Sequence, residues 1–500
     1  MPHDNADSPG PPALSLDDLP PEMVREVLSF ASGGSMLAAR RACAGWRNAV
    51  TVPMGDVARR RWGGPLRGPL PPEGSGRRWL GSAPTDGLEA ARATAAADAA
   101  VAALAAAAAA ASKPQVGRTS RRSPPRAPVV ADCRSDPWSP GAVVVAEYDG
   151  GVAYVTPACR TSAALPSTAT WCAATARSVF VGNSRSAHVL RRAAPGGAPA
   201  ADSLRSFAPF DFIERGADGS NQDVVSAATE LRDAPEVKIV AVAAVAGPPG
   251  EDGNNGDVAM LLDGLGRRWA VVVDEVTLEA VAVVLIGVRG ARGSGGACRA
   301  VGLAALRGPG PAGLRVVFAE SPCQLAVWAP HAEKKLGAVT CDARGTELNH
   351  GRKRGSLAWV RSDEPIPPPA AVCLATAGDR LVAVASGVGP SVRFYDAALL
   401  CFVGESSVGE SFHSLAWPSG SVVALEGSRA AVVSVHRSGA VVVHGTAGLA
   451  PLYISGRETG VSHFRFAGSA ACAVVTARRQ SARSVGDVRS RGDVLTVWAG

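Results

Sequence analysis

The chain has 500 residues, longer than one ordinary domain, and 47% of them are apolar, enough for a substantial core. Aromatics are only 5%, so that core must be mostly valine, leucine and alanine. The net charge of +7, from 51 basic and 44 acidic residues, forms no continuous stripe and argues against a nucleic-acid partner.

The ten cysteines include no CxxC pair, and none stands beside a histidine at zinc spacing. They read as free thiols used as small apolar residues, which suits a reducing cytoplasm or nucleus. The start, MPHDNADSPGPP, is polar and proline-rich rather than signal-like, and residues 1–13 are expected to be disordered. The longest strongly apolar run, 281–288, has the size of one strand, so no membrane partner is expected.

Residues 14–62 read as a compact helical unit. Asp17 and Asp18 precede Pro20 and Pro21, where a first helical turn tolerates proline and its dipole favours acids. Met23, Val24, Val27, Leu28 and Ala31 then share one face, with Arg25, Glu26 and Ser29 off it. Gly33 and Gly34 end this helix, Ser35 caps a second, and Met36, Ala39, Ala42, Cys43 and Trp46 repeat along it. Two helices this short need a partner or a neighbouring domain.

Residues 63–139 read as a linker. Within it, the alanine-rich stretch 88–112 could form a helix reaching roughly 37 Å as a spacer, or be a low-complexity expansion. Arg92 and Asp98 rule it out as a membrane span. The basic stretch after it, from Lys113 to Arg126, reads as a flexible solvated segment.

From 140 to 500 the pattern changes to short apolar runs divided by Gly, Asn, Asp and Ser turns, which predicts β-strands. No helical period is evident there, so an all-β domain is expected rather than alternating strands and helices. Seven strand ends recur on a loose theme: VAYVT, AHVLRR, RWAVVVD, LAVWAP, SVRFYD, AVVVHG and LTVWAG. Their spacing is uneven against ~40–45 residues for a regular propeller blade, and 193–235 and 342–370 look like insertions. A β-propeller of about six or seven blades accounts for the theme, with a pair of β-sandwiches as the alternative. In such a ring, 142–148 (AVVVAEY) could supply the outer strand of the last blade.

Residues 14–50 resemble an F-box. The matching residues are Leu16, Leu19, Pro20 and Glu22, then Val27 and Leu28, then Met36 and Leu37, then Cys43 and Trp46. The resemblance implies a subunit that docks on the Skp-type adaptor, and through it a cullin, in a ubiquitin ligase. Leu16, Leu19, Pro20, Glu22, Val27, Leu28, Cys43 and Trp46 would then be the adaptor-facing candidates. The β region is similar, more loosely, to WD-repeat propellers: Tyr395-Asp396 stands where Trp-Asp is usual, and Trp328 and Trp498 lack the following Asp.

Motifs that carry chemistry are scarce. GPGPAG (308–313) fits a phosphate-loop spacing but precedes a strand-like run, so it reads as a turn. The eight histidines are scattered; His413, His436 and His444 read as satisfied residues rather than bases or ligands. No cofactor or metal is implied and no catalytic residue stands out. Arg352, Lys353 and Arg354, with Arg393 in the best blade, are the candidates for gripping an acidic protein substrate, although a solvated loop explains the first three as well. The expected protein is a non-enzymatic, cytoplasmic or nuclear substrate receptor of a Skp–cullin–F-box ligase, or a propeller scaffold unconnected with ubiquitin.

Overall fold

The structure is a computed structural model of the chain. It describes Pro20, Met23, residues 99, 100, 102 and 103, nearly all of 129–288, and the strands and some turns from 302 to 499. The β domain among these residues is a ring of seven antiparallel sheets; six have four or five strands and the last has three. Each sheet meanders outward from an innermost strand. The innermost strands are Val130–Ser135, Trp171–Ala174, Lys238–Ala244, Gly302–Arg307, Val372–Ala377, Val422–Gly427 and Val461–Phe466. Each lies against the next around the ring, and the last lies against the first. This is a propeller arrangement, not a pair of sandwiches.

The apolar composition follows from this arrangement. Successive side chains on a strand point to opposite faces, and in a ring both faces meet a neighbouring blade. Along Ala431–His436 of the sixth blade, Ala431, Val433 and Val435 pack toward the seventh blade while Val432 packs toward the fifth. In the third blade, Trp269, Val271 and Val273 face the second, and Ala270 and Val272 face the fourth. With both faces covered, the strands read as unbroken apolar runs rather than an alternation. Aligned valines and alanines fill the seams, with few aromatics.

The seven repeated strand ends hold one structural place. Gly151–Val155, Ala187–Arg191, Arg267–Val273, Gln324–Ala329, Val392–Asp396, Val441–Gly445 and Asp493–Ala499 are each the third strand of their blade, counted from the channel.

Four expectations need correction. The β domain begins before residue 140, because Val130–Ser135 is the innermost strand of the first blade. Asp132 and Arg134 disguise it in the sequence. The stretch 142–148 does not complete the last blade: Val143–Glu147 is the second strand of the first blade, hydrogen-bonded on both sides. A strand paired on both edges has no edge left to offer. Third, helices do interrupt the β region. The 193–235 insertion contains the outer strand of the second blade, Arg205–Phe207, then α1 (Asp211–Gly216) and α2 (Gln222–Arg232). Asn221 caps α2, its side chain accepting from the amides of Asp223 and Val224. Val224, Ala227, Ala228 and Leu231 form its buried face, and with Phe212 and Ile213 of α1 they wedge between the second and third blades. Fourth, the alanine-rich segment is more than a spacer at its described residues. Residues 99, 100, 102 and 103 are helical, and Ala99, Ala100 and Ala103 are buried against Val441, Val443, Phe464 and Phe466 between the sixth and seventh blades. Of the 342–370 insertion, only the short strand Glu347–Leu348 is among the described residues.

Candidate functional site

The innermost strands enclose a channel, and its most heavily charged wall lies where the ring closes. Asp132 of the first blade organises that wall. Its Oδ1 accepts from the Cys133 amide at 2.9 Å and from Arg465 Nη2 at 3.2 Å. Its Oδ2 accepts from the Cys172 amide at 3.1 Å and from Arg134 Nε at 3.1 Å. Arg465, in the innermost strand of the seventh blade, donates through Nε to the Cys133 carbonyl. It donates through Nη1 to the Phe464 carbonyl at 2.8 Å, and Nη1 stands 3.5 Å from Glu426 Oε2 of the sixth blade. One polar network thus spans four consecutive blades: Glu426, Arg465, Asp132 and the Cys172 backbone.

The two carboxylates of this network are tuned in opposite directions. Burial pushes the Asp132 carboxyl up, but Arg134 and Arg465 outweigh it and hold the group below the usual carboxylate range. Burial raises the Glu426 carboxyl, and the same two arginines do not fully offset it. His463 is pushed down to about 4, first by burial and then by Arg465, so it is neutral near pH 7. Burial pushes the neighbouring thiols up, Cys133 to about 12 and Cys373 to about 11, which leaves them protonated and unreactive.

At this end of the channel lies a cavity of about 140 Å³, bounded by the innermost strands of the first six blades. Small residues such as Ala174, Ala244 and Ala304 line it, with Arg134, Ser135, Thr376 and Glu426 supplying polar side chains. Among the described residues, no group of three or more His, Cys, Asp or Glu side chains is placed to hold a metal ion.

The residues singled out from the sequence are placed as follows. Leu16, Leu19, Glu22, Val27, Leu28, Cys43 and Trp46 lie outside the described residues, as do Arg352, Lys353, Arg354, His413 and the 308–313 turn. Pro20 is described and exposed; the Met23 amide donates to its carbonyl at 2.9 Å, and Met23 is helical and 53% exposed. Arg393 is nearly buried in the third strand of the fifth blade, with Nε 3.5 Å from Glu405 Oε2. His444 is buried, with Nδ1 2.8 Å from Ser406 Oγ and Nε2 2.9 Å from Ser434 Oγ; burial, then His436, lowers it to about 3. His188 sits likewise between Ser167 and Ser206. Asp132, Arg134, Glu426 and Arg465 were not singled out. The available signal was a charged residue within a strand-like apolar run, as in VVADCRS or HFRF, since ionised side chains are seldom buried unless paired.

No protein-family model matches the chain, and no curated protein matches it. Solved structures that resemble it include Saccharomyces cerevisiae Sqt1, at 12% identity with a TM-score of 0.41, covering 75% of this chain and 96% of that one. The Neurospora crassa Pan2 WD40 domain matches at 10% identity with a TM-score of 0.39, covering 69% and 86% respectively. U3-55K matches at 10% identity with a TM-score of 0.44, covering 75% and 96%. The propeller arrangement of this chain rests on its own strand order and on the contacts that close its ring of innermost strands.

Proposed function

We propose that this chain is a non-catalytic interaction scaffold, a β-propeller that holds another protein on its turns and at its channel. One observation carries this. Both faces of the inner blade strands are consumed by packing between neighbours, so turns, channel and outer strands such as the exposed Arg160–Ala164 are what the ring has left to offer. Tyr148 and Leu265, 57% and 51% exposed, stand on second-to-third-strand turns of the first and third blades, on one rim of the ring. Large apolar side chains held out on rigid turns suit protein contact. The test is chemical crosslinking of the purified full chain with its co-isolated partners, mapped by mass spectrometry. Crosslinks should fall on the turns of residues 129–499. Partners crosslinked solely to residues before 129 would overturn the scaffold role of the ring.

A more specific role is supported by the F-box-like residues Leu16 to Trp46. In it, the N-terminal unit docks on a Skp-type adaptor, joining a cullin ubiquitin ligase in the cytoplasm or nucleus, and the ring presents a protein for ubiquitination. The exposure of Pro20 and Met23 at a helix start is compatible with such docking. Co-purification with the adaptor tests it: wild type should bind and Leu19→Ala/Pro20→Ala should lose binding. Failure of the wild type to bind would remove the ligase role and leave the scaffold intact.

A further inference from the structure

The channel contains a cationic group whose hydrogen bonds the fold does not use up. Arg134 is the penultimate residue of the first blade's innermost strand. Asp132 takes its Nε at 3.1 Å, and among the described residues Nη1 and Nη2 have no hydrogen-bond partner. Its side chain is 43% exposed even though it lines the cavity inside the ring. The other arginine of the cluster differs: Arg465 is 4% exposed and spends its donors on Asp132, on Glu426 and on backbone carbonyls.

This setting suits a ligand better than a rim arginine would. A concave site that gathers a few convergent polar groups is the usual form of a small binding site, and this cavity gathers Arg134, Thr376 and Glu426. A guanidinium presents parallel donors matched to two oxygens, and a charge-assisted pair of this kind is stronger than a neutral hydrogen bond. Charge narrows the ligand further. Arg134 is balanced in part by Asp132, and Glu426 lines the same cavity, so a second negative charge on a ligand would meet a carboxylate. A singly charged group is favoured, and the small residues around the cavity leave room only for a short one.

We propose that this cavity binds a carboxylate, held by Nη1 and Nη2 of Arg134. The carboxylate is either a small free acid or a Glu or Asp side chain inserted by a partner protein. Only the second source deepens the scaffold role above; the free-acid source stands without it, and neither depends on ubiquitin.

The test uses the full chain and ligand-observed saturation-transfer NMR. Propionate represents a free acid, propionamide is its neutral match, and short peptides blocked at both ends carry one central Glu or Gln. Binding of propionate marks a free acid; binding of the Glu peptide alone marks a partner's side chain. In either case Arg134→Ala should weaken affinity about tenfold or more, and Arg134→Lys should keep part of it. Glu426→Gln should tighten binding, which keeps the test decisive if Arg134→Ala misfolds. Equal binding of the neutral probes, unchanged affinity in Arg134→Ala, or no binding of either acid would overturn the proposal. The turn crosslinks of the scaffold test do not depend on Arg134, so the two ideas can fail separately.

Discussion

The seam between the second and third blades and the seam between the seventh and first are built on opposite principles. The first is apolar and thick. Phe180, Phe207 and Trp269 meet Phe212, Ile213 and the α2 face, and the rings of Phe207 and Phe212 lie 5.2 Å apart. The second, among the described residues, has a core of small apolar residues, Val130, Cys133, Val143, Val145, Ala153, Ala473 and Val475, with Val155 and Leu495 at its edge, and sets its charged network beside them. The 2–3 seam joins blades that follow one another in the chain. The closing seam joins Asp132 and Arg465, which are 333 residues apart. Loop-closure entropy grows slowly with length, so distance alone does not demand a stronger contact there. What the network adds is geometry. Small aliphatic side chains pack acceptably in several offsets, whereas a carboxylate accepting from Cys133, Cys172, Arg134 and Arg465 together is satisfied in one.

Breaking each seam in its own way sharpens this contrast. The largest effect is expected from Arg465→Ala, which strands Asp132 and Glu426 at the closing seam; urea unfolding should show a loss of about 3–5 kcal/mol. The triple change Asp132→Leu/Arg465→Met/Glu426→Gln should lose much less, because it removes both carboxylates that Arg465 serves and leaves only the half-exposed Arg134 without its partner. A triple variant as unstable as the single would mean that the charges supply stability and not register. At the 2–3 seam, Phe212→Ala should cost about 3–5 kcal/mol from lost burial and cavity formation, with no change in pH dependence.

pH dependence separates the seams more sharply. The Asp132 carboxyl is held down in the folded state, so its stabilisation is present above the unfolded value and lost as pH falls through the folded value. Glu426 is raised, so its contribution is complete below the unfolded value and lost as pH rises through the folded one. Arg134, Arg465 and the Cys172 amide hold Asp132 down, and His463, lowered to about 4, adds its charge in the acid range. Thermal melts should therefore show an acid limb that Asp132→Asn flattens and Phe212→Ala leaves in place.

Smaller effects are expected from the helices and turns. Ala103→Leu should cost about 1–3 kcal/mol by overpacking the 6–7 seam; a free spacer would show none. Asn221→Ala should cost about 1 kcal/mol through loss of the α2 cap. Leu265→Asn should be the one change that stabilises. Leu265 and Gly266 form a two-residue hairpin loop with φ of 51° and 71°, and a leucine is strained where asparagine is at ease. The expected gain is about 1 kcal/mol in the melting equilibrium.

Legibility differed between the regions for physical reasons. The third strands could be read because each ends a β-branched run at a turn, a local pattern. α2 could have been read too: Asn221, Val224, Ala227, Ala228 and Leu231 carry a cap and a helical stripe. Its short length, inside a stretch that reads as an insertion between strands, hides it. The innermost strand of the first blade lacks such a pattern, since Asp132 and Arg134 break its apolar run, and part of what makes Asp132 tolerable there, Arg465 and the Cys172 amide, lies far along the chain.

By itself the sequence determined a mainly β domain, the seven third strands and a core of small aliphatic residues, because strand period and turn chemistry act over a few neighbouring residues. Tertiary structure alone decided which strands close the ring, where the alanine-rich helix packs, and which of several arginines keeps free donors in a channel. Those outcomes depend on side chains hundreds of residues apart sharing one buried space, and no local pattern records that.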